Sequence, residues 1–258
     1  MKNSYESVAD DANCVQALSN SVLFGLCGTS SIFYIDRRES NKPNYVINSN
    51  QYRNNGSTNG EFHSLSCNKT NANEFAVGTD YNARIYDVRQ MKPCYEIYHN
   101  YNCLTPRECY VSWSPSGKYI YIHDRDFNFD SIICFFWDVL NCERVMSNND
   151  MKIEDSGEIF EWKNVDNDTF AWIDDRLLIA SYDDAIFSVA PHAKTVKVID
   201  NFRNIDHMGP IVSNLDYNDK TLQLAGANSS RITIWSHYKL PSYPKLGRNN
   251  FIDDDSMQ

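Results

Sequence analysis

The chain has 258 residues, of which 13% are aromatic and 22% charged, with a formal net charge of −10. That is enough apolar material for one all-β domain with its own core, and the acidic balance argues against a broad phosphate-backbone contact, leaving room only for a local basic face. No run approaches the ~18 consecutive apolar residues of a membrane span, and Met1 to Asp11 lacks the apolar centre of a secretion signal, so the reading is an intracellular protein with neither a membrane nor a direct nucleic-acid partner.

In that setting the Asn-x-Ser/Thr sequons at Asn55, Asn68, Asn167 and Asn228 reflect asparagine richness rather than glycosylation. Eight cysteines show no C-x-x-C spacing and no nearby His to complete a zinc pattern. They read mostly as buried free thiols on strands.

Met1 to Asp11 is expected to be a tail, residues 12–240 the folded body, and residues 241–258, with Asp253-Asp254-Asp255, a disordered acidic tail. A first unit runs from about Val15 to Ile47, with Val22 to Cys27 and Ile32 to Asp36 as its best strands, and closes on Asp36-Arg37-Arg38. Glu39 to Gly60, rich in Asn and Ser, reads as a loop with room for one outer strand. The second unit, Glu61 to Gln90, is the clearest. Phe62 to Cys67 alternates apolar and polar, Asn68 to Asn73 is a polar turn cluster, and Phe75-Ala76-Val77 is an apolar run broken by Gly78-Thr79-Asp80. Ala83 to Asp87 alternates again. Such period-two runs between Gly, Asn and Asp clusters predict strand, turn and strand.

Arg107 to Met146 forms a third unit. Tyr110 to Trp113 leads into the turn Ser114-Pro115-Ser116-Gly117. Tyr119 to Ile122 follows as a strand, His123 to Asp130 reads as an inserted loop, and Ile132 to Asp138 ends in Trp137-Asp138. The fourth unit has strands at Phe170 to Ile173 and Leu177 to Ala180 around a tight Asp174-Asp175-Arg176 turn. Asp183 then leads into Ala185 to Val189, with Thr195 to Ile199 outermost. The fifth opens near Gly209 and continues through Leu222 to Gly226 into Arg231 to Trp235.

The spacing inside the second unit carries the most information: Asp80 in a tight turn, then a strand ending in Tyr86-Asp87. This resembles the second half of a WD repeat, with Tyr86 where that family usually has Trp. Ser114-Pro115-Ser116-Gly117 and Trp137-Asp138 resemble its other hallmarks. The pattern recurs in five units at roughly forty to fifty residues, the period of WD-type blades. The resemblance implies an all-β WD-repeat β-propeller spanning about Val15 to Lys239. WD rings usually close with seven blades, which hides their sheet edges. Five units leave three expectations: a divergent blade, a ring completed by a partner's strands, or a truncated sequence. The pattern's start near the N-terminus favours the last two.

Two successive units end in Asp-x-Arg, namely Asp36 with Arg38 and Asp87 with Arg89. An Arg there emerges at one rim, where its planar fork of donors suits a carboxylate or a backbone carbonyl. The pair resembles the motifs by which substrate receptors of cullin-RING ubiquitin ligases dock on the damaged-DNA-binding-protein adaptor of cullin-four, although Ile35 and Tyr86 replace the usual Trp. The alternative is local, each Arg capping its own loop.

His63, Ser66, Asp80 and Tyr86 resemble the structural hydrogen-bond relay of a WD blade rather than a catalytic triad. His123-Asp124-Arg125-Asp126 and Asp130 read as a solvated polar loop, not a metal site. Tyr95, Tyr98 and Tyr101 are candidates for a binding patch or for packing between blades. No phosphate loop, nucleophile elbow or kinase signature is present. The expectation is a non-enzymatic scaffold without cofactor or metal: either such a substrate receptor, or a structural subunit of a chromatin, RNA-processing or coat-like complex.

Overall fold

The computed structural model describes residues 12–17, 22–27, 31–36, 38, 44–48, 61–80, 82–90, 92–98, 108–126, 131–147, 152–153, 170–180, 185–193, 195–201, 214–227 and 232–235. Among them are twenty strands and no helix. Both expected tails, the Gly209 opening of the fifth unit, Tyr101, Asp130 and Asp183 lie outside the described residues.

Five sheets follow one another along the chain. The first holds β1 (Ala12–Ala17), β2 (Val22–Cys27), β3 (Ser31–Asp36) and β4 (Asn44–Asn48). The second holds β5 (Phe62–Cys67), β6 (Glu74–Thr79), β7 (Asn82–Asp87) and β8 (Lys92–Tyr98). The third holds β9 (Glu108–Trp113), β10 (Tyr119–Asp126), β11 (Ser131–Asp138) and β12 (Glu143–Ser147). All three are antiparallel meanders. The fourth adds to the meander β14 (Phe170–Ile173), β15 (Arg176–Ala180), β16 (Ala185–Ala190) and β17 (Thr195–Asn201) a two-residue strand β13 (Lys152–Ile153), parallel to β17. The fifth has three strands, β18 (Asn214–Asn218), β19 (Gln223–Ala227) and β20 (Ile232–Trp235).

Turn chemistry sets these boundaries. Asn68 Oδ1 accepts the amides of Thr70 and Asn71 at 3.0 and 3.2 Å, which closes the β5–β6 turn. Between β9 and β10 the Gly117 amide donates to Ser114 O at 2.9 Å, with Gly117 at φ 73°. That left-handed conformation favours glycine.

The alternating side chains then stack the sheets face to face in sequence order. Ile32 and Ile47 of the first sheet meet Phe62, Phe75 and Tyr86 of the second. On the opposite face of the second sheet, Ala76, Ile85 and Ile97 meet Val111, Trp113 and Ile120 of the third. Tyr121, Phe136 and Met146 meet Leu177, Ile179 and Val196, and Ile173 and Leu178 meet Leu215 and Leu224. Sheets two, three and four are therefore buried on both faces, which accounts for strands with few outward positions. The first strand of each meander, β1, β5, β9, β14 and β18, lines a common central channel of about 490 Å³.

Channel-lining strands have one unpaired edge, and the sequence satisfies it with hydroxyls. Ser64 Oγ accepts the Val111 amide at 2.8 Å and donates to Cys109 O at 3.1 Å, while Ser66 Oγ accepts the Trp113 amide at 2.9 Å. Two serines at i and i+2 thus match the two-residue repeat of the free edge of β9. The approach is close enough that a Cβ on Gly78 would lie 1.9 Å from Cys109 O. One sheet further, Trp172 Nε1 donates to Ser112 Oγ at 2.9 Å.

Two sequence expectations need correction. His123 to Asp126 is not a loop: β10 continues through it, paired with both β9 and β11 as far as Arg125. Nor are His123 and Asp124 solvated, since both are fully buried. Consecutive polar residues on a middle strand look like a turn in sequence, yet they face two different buried interfaces. Among the described cysteines, Cys67, Cys109 and Cys134 are buried, whereas Cys94 and Cys142 are exposed. Burial pushes the Cys109 and Cys134 thiols well up.

Two substitutions probe the seam between sheets two and three. Ser66→Ala strands a buried amide and should cost about 1–3 kcal/mol. Gly78→Ala should cost about the same through overpacking. Urea unfolding measures both, and wild-type midpoints would refute the seam.

Candidate functional site

The third strand of each of the first three sheets ends in an aspartate: Asp36 on β3, Asp87 on β7 and Asp138 on β11. All three lead into the turn before the outer strand, so they sit at one rim. Each caps that turn in the same way. Asp36 Oδ1 accepts the Arg38 amide and Asp87 Oδ1 the Arg89 amide, both at 2.9 Å, and Asp138 Oδ1 accepts the Leu140 amide at 3.0 Å. The residue after each cap is also equivalent in sheets two and three. Val88 N donates to Asn73 O at 2.8 Å and Val139 N to Lys118 O at 3.0 Å, the carbonyl just before each second strand.

In the first two turns the arginine folds back as a fork. Arg38 Nε meets Asp36 Oδ1 at 3.0 Å and Nη2 meets Oδ2 at 2.6 Å. Arg89 repeats this on Asp87, at 2.9 Å from Nε to Oδ1 and 2.5 Å from Nη2 to Oδ2. Bidentate pairing fixes the plane of each guanidinium and turns its Nη1 edge away from the carboxylate. The arginine side chains are 70% and 68% exposed. The side-chain bond from Arg38, then its backbone amide, holds Asp36 at about 2, and Arg89 does the same for Asp87. Asp87 in turn raises the Arg89 guanidinium.

The third turn differs. Asn141 supplies an amide at 3.1 Å to Asp138 Oδ1 and its Nδ2 at 3.0 Å to Oδ2, taking the place of the fork. Across the same rim, the β5–β6, β9–β10 and β14–β15 turns are chained. Thr70 Oγ1 donates to Ser116 O at 3.2 Å, and Ser116 Oγ to Asp175 Oδ1.

Of the residues read as a blade relay, the structure brings His63 and Asp80 together, with Nε2 and Oδ1 2.6 Å apart. Asp80 Oδ2 also accepts the Glu61 amide at 2.8 Å, which ties the β6–β7 turn to the start of β5. Ser66 and Tyr86 lie on opposite faces of the second sheet. Ser66 faces β9, and Tyr86 stacks on Phe75 with ring centroids 5.1 Å apart. Among the described residues, Glu61, His63 and Asp80 are the ones that could hold a metal, their ligand atoms lying within 4.8 Å of one another. However, two ligands around a tetrahedral zinc stand about 3.3 Å apart. The 2.6 Å His63–Asp80 contact is a hydrogen-bonded clasp instead.

Neither a family model nor a curated relative matches the sequence. Solved structures do match. A chain in the crystal structure of the mitotic checkpoint complex aligns with a TM-score of 0.59 and 14% identity, over 88% of this chain and 64% of that one. A chain in the structure of the COPII coat assembled on membranes aligns with a TM-score of 0.60 and 16% identity, over 89% of this chain and 32% of that one. Both are WD-repeat propellers. The chain has the fold of a WD-repeat β-propeller. It spans less than two thirds of the length of either of these propeller-containing chains.

Within this propeller, the rim residues Asp36, Arg38, Asp87 and Arg89 were legible as local Asp-x-Arg motifs. Sequence reading missed Ser64, although Ser64-x-Ser66 alternation was its available signal. It also missed β18, where Leu215 and Tyr217 alternate with Asn214, Asp216 and Asn218.

Both forks have a pH signature. Because the folded-state values are depressed to about 2 from 3.8, the forks stabilise the fold above 3.8, and the contribution disappears as pH falls through about 2. Carboxyl NMR titration should find both midpoints near 2, and Arg38→Ala or Arg89→Ala should return its partner toward 3.8. An unshifted midpoint in the wild type would refute the fork.

Proposed function

We propose that this propeller is a non-enzymatic protein-interaction scaffold that docks, through its Asp–Arg rim, on the damaged-DNA-binding-protein adaptor of a cullin-four ubiquitin ligase, acting as a substrate receptor. One observation carries the reading: two identically built forks on adjacent sheets, each presenting an arginine about two-thirds exposed. Such a repeated, pre-oriented donor pair costs little side-chain entropy on binding, because the intramolecular bonds already fix the rotamers. The assignment of this adaptor rests on resemblance of the motif. Binding of the purified adaptor to the chain tests it. Arg38→Glu with Arg89→Glu should abolish binding and leave the chain cooperatively folded, with a lowered unfolding midpoint because both forks are lost. Undiminished binding would remove the docking mechanism.

A second reading has its own observation. On the three-stranded fifth sheet, Ile232 and Ile234 of β20 are 74% and 59% exposed, and they pair with Ala227 and Ala225 on a shared face. An apolar sheet face of this kind fits a subunit whose ring is completed by strands of a partner, in another multiprotein complex of the chromatin, RNA-processing or coat-like kind. The two structural neighbours come from assemblies, the mitotic checkpoint complex and the COPII coat. Light scattering distinguishes the readings. Self-association relieved by Ile232→Glu and Ile234→Glu supports completion by a partner, whereas a stable monomer with one cooperative unfolding transition counts against it.

A further inference from the structure

The third turn of the rim holds a leucine where the first two hold arginines. Leu140 follows Asp138 by two residues, as Arg38 follows Asp36 and Arg89 follows Asp87, and its amide is held by the same carboxylate oxygen. An equivalent backbone bond on an equivalent strand end gives the three side chains equivalent starting points on three consecutive sheets. Arg38 and Arg89 fold back on their aspartates. Leu140 has no donor with which to do so, and Asn141 bonds both oxygens of Asp138 in its place. Leu140 is 81% exposed, while its neighbour Val139 packs into the interface between sheets two and three. The turn is rigid without any contribution from the leucine side chain.

A single exposed leucine is ordinary on a protein surface. Its coincidence in register with two clamped arginines is what gives this one meaning. The charges beside it are mixed: Asp138 and Asp175 act on the Lys118 ammonium, and Glu143 pairs with Asp138 across β11 and β12. Lys118, in the neighbouring β9–β10 turn, gives its carbonyl to Val139 N, and its ammonium is within the field of Asp138.

We infer that Leu140 is the third anchor of the docking rim, inserting into an apolar pocket on the partner, whose flanking carboxylates or carbonyls meet Arg38 and Arg89. The inference rests on the proposed adaptor docking and adds to it the side chain that supplies buried area. Arginine forks orient a partner, whereas burial of an aliphatic side chain slows its dissociation.

The test measures calorimetric affinity of the purified adaptor for the wild type, Leu140→Ala, Leu140→Asp and the Arg38→Glu/Arg89→Glu pair. Leu140→Ala should weaken binding about tenfold to a hundredfold, the range for removing a fully buried leucine. Leu140→Asp should weaken it further, with the unfolding midpoint of both variants unchanged. If the arginine pair abolishes binding and both leucine variants bind like the wild type, Leu140 is no anchor and the docking reading stands. If the wild type does not bind the adaptor, both fall together. Binding that needs Leu140 but ignores both arginines would overturn the shared rim.

Discussion

The inner edge of β9 is the constraint on which the middle of the propeller depends. A strand facing a central channel pairs on one side only, and its outward amides and carbonyls must find other partners or water. Ser64 and Ser66 meet that demand from the preceding sheet, bonding Val111, Cys109 and Trp113. The consequence is geometric as well as energetic. Hydroxyls are short, so they hold β5 and β9 close, and that closeness leaves no room for a side chain at position 78. The apolar interface behind the seam, with Ala76 and Ala83 opposite Val111 and Ile120, uses small residues on one side for the same reason.

The rim follows different rules from the seam. Its three aspartates satisfy turn amides of their own strand ends, so each sheet closes its outer hairpin without help from its neighbours. What varies is the group that fills the second carboxylate oxygen: Arg38, Arg89 or Asn141. Structural demand is met equally by all three, since each gives the buried carboxylate its hydrogen bonds. Only in the third turn, where Asn141 takes over the carboxylate, is the second position after the aspartate released from that duty, and there it holds Leu140.

Much of this was legible in the sequence because it is local. Asp36-x-Arg38 and Asp87-x-Arg89 form within three residues, and Ser114 to Gly117 is a turn by composition alone. The strands were legible where one face is polar, as in Phe62 to Cys67. Legibility failed where the partner is distant. Nothing near Ser64 announces that its hydroxyl serves β9, 45 residues away. His123 and Asp124 look solvated because charge usually means water, yet a middle strand between two packed sheets buries both of its faces. The His123 ring and the Asp124 carboxylate sit among Tyr110, Tyr121 and Cys109 rather than in a loop. The Ser66 and Tyr86 positions illustrate the same limit. Membership of one sheet and matching letters cannot reveal that one side chain faces forward and the other back.

Four of the five sheets are assembled from hairpins in the order in which the chain is made, so each is complete as soon as its last strand is synthesised. The fourth is the exception. Its outermost strand, β13, comes before the meander it joins, and Lys152 waits for Thr195 before it has a partner. During synthesis this sheet finishes with a backward reach, not a forward hairpin. The interval between β13 and β17 is thus the stretch over which a nascent chain carries an unmatched strand.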